Sequence, residues 1–78
     1  MINPNPKTQV ANKFNELFGD EIPFEIEGRR SANGRRYLTL VRVDGAVVAT
    51  AEHSNWRKSY KMLKIEVENL YAAGLSLV

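Results

Sequence analysis

Arg36-Tyr37-Leu38-Thr39-Leu40-Val41-Arg42-Val43-Asp44-Gly45-Ala46-Val47-Val48 is the stretch on which the fold turns. Arg36 to Val43 is rich in β-branched and aromatic residues, the composition of a strand. Asp44-Gly45 follows as a two-residue turn whose positions must both accept positive φ, so a hairpin is predicted. The returning strand runs from Ala46 to about His53. Pairing across the turn puts Tyr37, Thr39, Val41, Val43 and Val48 on one face. The other face is expected to carry Leu38, Leu40, Arg42, Val47, Ala49 and Ala51.

Toward the N-terminus, Pro23-Phe24-Glu25-Ile26-Glu27 alternates apolar and acidic residues, a short strand with Phe24 and Ile26 inward. Gly28 to Gly34 reads as a polar loop holding Arg29, Arg30, Ser31 and Asn33. Before it, Asn5-Pro6 has the form of a helix cap followed by proline at the first helical position. Val10, Phe14, Leu17 and Phe18 then form one apolar stripe, and Gly19 stops the helix. Thr8, Asn12 and Asn15 fall on its opposite side. Toward the C-terminus, Ser54 is the expected cap of a second helix from Asn55 or Trp56 to about Ala73. Its stripe is Trp56, Tyr60, Leu63, Val67 and Leu70, with Gly74 as a stop. The order is α-β-β-β-α: an α+β domain with a three-stranded antiparallel sheet and two helices packed on one face. Residues 1–78 make a single domain, with the core from about 5 to 73 and a short apolar tail over 74–78.

Composition narrows the function classes. The chain has 78 residues, 44% of them hydrophobic, and no cysteine, which removes disulfides and thiolate metal sites and fits a reducing compartment. No apolar run approaches the roughly 20 residues of a membrane span. The first residues show no charged region leading into an apolar stretch, so neither a secretory signal nor a membrane location is expected. A cytoplasmic protein is the simplest expectation.

Charge is segregated rather than large. Net charge is +2, yet eight of the eleven cations lie in two blocks: Arg29, Arg30, Arg35 and Arg36, then Arg57, Lys58, Lys61 and Lys64. Cations concentrated on two elements suit contact with a polyanion at two places. Lysines in the first turns of a helix also oppose its dipole, a cost that an anionic partner would offset.

The order and punctuation resemble a double-stranded RNA-binding domain. The resemblance spans about Asn5 to Leu70 and is carried by Asn5-Pro6, Pro23-Phe24-Glu25-Ile26, Arg42-Val43-Asp44-Gly45 and Arg57-Lys58-Ser59-Tyr60-Lys61. The last is similar to the family's Lys-Lys-x-Ala-Lys motif. The chain has Ala51-Glu52-His53 where the family carries Gly-x-Gly, and no histidine in the first interstrand loop. The resemblance implies a module that recognises A-form duplex by shape, touching two successive minor grooves and the phosphates between them. It assigns Thr8 and Asn12 to one minor groove and Arg29, Arg30 and Asn33 to the next. Arg57, Lys58 and Lys61 would bridge phosphates.

Two other readings stay open. The apolar face holding Leu38, Leu40 and Val47 suits a homodimer or a protein partner, making the chain an interaction module without RNA binding. Alternatively the sheet lies in a DNA major groove with Arg36 and Arg42 as readers. Trp56 reads as a core anchor or helix staple rather than a base-stacking platform, and His53 as a strand-end residue. No catalytic pair, metal cluster or phosphate-cradling glycine loop stands out. No enzyme activity, metal, cofactor or small-molecule substrate is therefore expected.

Overall fold

The computed structural model describes residues 5–74. Its elements are α1 (Pro6–Phe18), β1 (Glu25–Arg30), β2 (Tyr37–Val43), β3 (Ala46–His53) and α2 (Trp56–Ala72). The strands form one antiparallel sheet in the order β1-β2-β3. The expected α-β-β-β-α architecture is the one observed. The apolar tail, Leu75 to Val78, lies outside the described residues.

Local chemistry sets the ends of the elements. Asn5 caps α1, its Oδ1 accepting from the Thr8 amide at 2.8 Å, with Pro6 in the first turn. Gly19 ends the helix with φ 88°. Asp44 (φ 52°) and Gly45 (φ 79°) both take the left-handed region, as the hairpin turn requires. The cap of α2 is Asn55 rather than the expected Ser54. Its Oδ1 accepts from the Arg57 and Lys58 amides, while its own amide donates to His53 Nδ1 at 2.9 Å.

One buried cluster joins the layers: Val10 and Phe14 from α1, Val41, Val43, Ala49 and Ala51 from the sheet, and Tyr60, Leu63 and Val67 from α2. Both helices therefore cover one face of the sheet. They run parallel, since Pro6 and Gln9 lie beside Arg57 and Lys61 at one end. Phe18 meets Tyr71 edge-on, 5.6 Å between centroids, at the other.

Three sequence expectations are corrected. First, β1 is not confined to 23–27; it continues through Gly28, Arg29 and Arg30, paired with Thr39, Leu38 and Tyr37. Gly28 reads as the start of a loop, but here glycine answers a close approach within a strand. A Cβ at Gly28 would collide with the Tyr60 hydroxyl and come within 2.6 Å of Tyr37 Oη. Second, Ala49 and Ala51 do not face outward. The register shifts between Val41 and Arg42, so Arg42 pairs with Val47, Val41 pairs with Ala49, and Val48 is the extra residue of a β-bulge. Beyond the bulge the alternation is displaced by one, which turns Ala49 and Ala51 into the core and Thr50 and Glu52 outward. Third, Trp56 is no core anchor, being 37% exposed.

Tyr60 is the largest polar-tipped side chain of the core. Its hydroxyl pKa is pushed up from 10.0 to about 12, by burial first and by a hydrogen bond with Tyr37 second. A folded-state pKa above the unfolded value means that the fold is favoured while the phenol keeps its proton. Stability is thus complete below about pH 10 and declines as pH rises toward about 12. The expected result is an unfolding midpoint in urea that drops between about pH 10 and 12, more steeply than in Tyr60→Phe, which lacks the titrating group.

Candidate nucleic-acid interface

The basic helix start is held in place by hydroxyls that the sequence hides. Ser59, within the run Arg57-Lys58-Ser59-Tyr60-Lys61, is fully buried, and its Oγ lies 3.0 Å from the Tyr37 carbonyl and 3.3 Å from that of Ala51. Thr39, also fully buried, brings its Oγ1 to 3.0 Å from Ser59 Oγ and 3.2 Å from the Ser59 carbonyl. This network ties the first turns of α2 to β2 and β3. Thr39→Val conserves shape but removes a buried hydroxyl from it, so urea denaturation should show a loss of about 1–2 kcal/mol. The signal for Ser59 was its place: a small polar residue at an inward position, three after Trp56 and four before Leu63.

With α2 anchored, its cations have fixed directions. Arg57, Lys61 and Lys64 line a concave site of about 290 Å³ between the two helices, together with Tyr60 and with Pro6 and Gln9 of α1. Lys58 is exposed outside that lining. Among the described residues the ion pairs are Lys13–Glu16, Arg36–Glu52 and Arg42–Glu27, and none involves Arg57, Lys58, Lys61 or Lys64. Three cations thus stand together, with Lys58 nearby, and none of the four has a carboxylate partner among the described residues. Lys13, one turn beyond Gln9, is different. Its pKa is raised chiefly by its hydrogen bond to Glu16.

The arginine block divides. Alternation along β1 puts Arg29 on the outer sheet face, opposite Leu38, and Arg30 on the helix side, opposite Tyr37. The Arg30 guanidinium lies 5.5 Å from the Tyr37 ring centroid. The loop that follows is closed by its own polar groups. The Asn33 Oδ1 accepts from Ser31 Oγ at 2.7 Å and from the Arg35 amide at 3.0 Å, and the Ser31 Oγ accepts from the Arg36 amide. Asn33 therefore shapes the loop. Arg35 is exposed, and Arg36 is paired with Glu52 at 2.8 Å.

The α1 residues divide as well. Thr8 lies with Lys7, Ala11, Phe24, Glu25 and Ile26 around a separate, shallow groove between α1 and β1. Asn12 is exposed, three residues beyond Gln9 and so on the same flank of the helix. The α1 residues facing the cations are Pro6 and Gln9, which sequence reasoning missed. Only the parallel pairing of the helices makes them neighbours of α2.

The outer sheet face is less apolar than its sequence suggests. Leu40 is 6% exposed between its cross-strand neighbours Glu27 and Thr50, and Leu38 is half-buried. Arg42 pairs with Glu27, and Arg36 with Glu52, across the same face. Val47, half exposed, is its one large open apolar side chain among the described residues.

No protein-family model matches the chain, and no curated protein is similar to it at a significant level.

Proposed function

We propose that the chain is a non-catalytic, cytoplasmic module that binds double-stranded RNA by shape. The observation that carries this reading is the group of cations in the first half of α2, without ion-pair partners among the described residues and set beside the first turns of α1. Arg30 and the loop after β1 lie at the same end of the domain, linked through Tyr37 and Tyr60. Such an arrangement suits the phosphates of a duplex, with α1 and the loop on either side of them. Lys58 and Lys61 are free to reach phosphate oxygens, and Arg57 can engage one bidentately. Sheet-mediated DNA reading has less support, because Arg36 and Arg42 already pair with carboxylates. The face proposed for a homodimer or protein partner, Leu38, Leu40 and Val47, offers little continuous apolar surface.

The test is a titration with an RNA duplex of roughly 20 base pairs, longer than the ~16 such a domain spans. The matching DNA duplex and the single strands serve as comparisons. At about 50 and 200 mM salt, RNA duplex should bind best and weaken steeply as salt rises. Equal, feeble binding of all probes would reject the reading and favour an interaction module.

A further inference from the structure

A row of rings and guanidinium groups connects the two basic elements. The Arg57 guanidinium lies 5.1 Å from the Trp56 ring centroid. Trp56 meets Tyr60 edge-on at 6.2 Å, Tyr60 packs against Tyr37 at 5.9 Å, and Arg30 sits over Tyr37. Tyr60 is 5% exposed and Tyr37 half-buried, so both belong to the fold. Trp56 is the accessible ring of the row. A small domain that leaves part of its one tryptophan in water forgoes apolar burial it could use. Arg57 lies over the ring, and Lys58 and Lys61 follow within the next turn and a half of α2, none of the three ion-paired among the described residues.

We propose that Trp56, with Arg57 beside it, is a stacking site for an unpaired nucleobase. The protein then prefers a duplex that adjoins a single-stranded segment. The proposal rests on the duplex-binding reading and goes beyond it, because the body of an A-form helix exposes no base faces. A free base face is available only at an end, a bulge or a loop. An indole accepts any base, and an adjacent guanidinium adds a second plane and a positive charge. The cations that follow along α2 hold the phosphates next to the stacked nucleotide. Selection is therefore for a junction rather than for a sequence.

Three probes test this: a blunt RNA duplex, the same duplex with a single-stranded extension of about four nucleotides, and the single strand alone. The chain's single tryptophan reports stacking directly through its fluorescence. The extension should quench Trp56 and raise affinity about tenfold over the blunt duplex. In Trp56→Leu, which keeps an apolar contact with Tyr60, the ratio of the two affinities should fall to about one, while Trp56→Phe keeps part of it. Equal affinity for blunt and extended duplex in the native protein, or a ratio that survives Trp56→Leu, overturns the proposal. If the duplex fails to bind but the single strand quenches Trp56 and depends on it, the duplex reading falls and the stacking site stands. If no probe binds, both fall.

Discussion

Replacing Arg57 and Lys58 together with alanine should lower affinity for duplex RNA roughly 10- to 100-fold at low salt. The plot of log affinity against log salt should flatten by about 1.8 units, the loss of two phosphate contacts. Neither side chain has a carboxylate partner among the described residues, so the change leaves no unpaired acid behind. Their capping bonds are made by main-chain amides, which alanine keeps. Removing two cations from the start of a helix relieves an unfavourable interaction with its dipole, and alanine is the better helix former. Thermal unfolding should therefore occur at an equal or higher temperature while binding collapses. That opposition separates a lost contact from a damaged fold. An unchanged salt slope in the variant would place the phosphate contacts elsewhere.

Gly28→Ala should destabilise the domain by about 1–3 kcal/mol, although it adds one methyl group to a strand that ordinarily favours alanine over glycine. The methyl would meet Tyr60 Oη, Tyr37 Oη at 2.6 Å and Tyr37 Cε1 at 2.8 Å. Tyr60 is nearly sealed in the core, so its rigid ring cannot swing aside without disturbing the buried cluster it shares with Leu63 and Val67. A chain of this length has a total stability on the order of 5–10 kcal/mol, so the melting temperature should fall by roughly 5–20 °C. Adding Tyr37→Phe and Tyr60→Phe removes both oxygens and should restore part of the loss, the Cε1 contact keeping the rescue incomplete. A double-mutant cycle measures this coupling. Full additivity would mean that the methyl is accommodated by backbone movement instead.

The helices and the β2–β3 hairpin were readable because their signals are local. Asn5-Pro6, Gly19 and Asp44-Gly45 each act through the backbone of the residues that carry them. What escaped was set across the sheet. Gly28 looks like a turn residue until two tyrosine hydroxyls are placed above it, and β1 then extends to Arg30. The bulge at Val48 leaves only an irregular alternation in sequence, which conceals that Ala49 and Ala51 face the helices. Ser54 and Asn55 are both good capping residues, and the hydrogen bond from the Asn55 amide to His53 Nδ1 fits the second. In the candidate site, the addresses of the two basic blocks were readable but not their directions. Arg29 and Arg30 are adjacent in sequence and point to opposite faces, and Asn33 turns into its own loop. Pro6 and Gln9 joined the site only through the pairing of the helices.

Among the described residues no strand pairs with the outer edges of β1 and β3, and the irregularity in β3 bears on how copies of this chain behave when crowded. A straight edge strand offers a ready row of amides and carbonyls on which another chain can polymerise. The extra residue at Val48 kinks and twists one edge, while Arg29 and Arg30 put charge at the end of the other. Removing Val48 would straighten β3 and restore an uninterrupted template. The bulge thus makes that edge a poorer template for fibrous self-association than a straight strand would be.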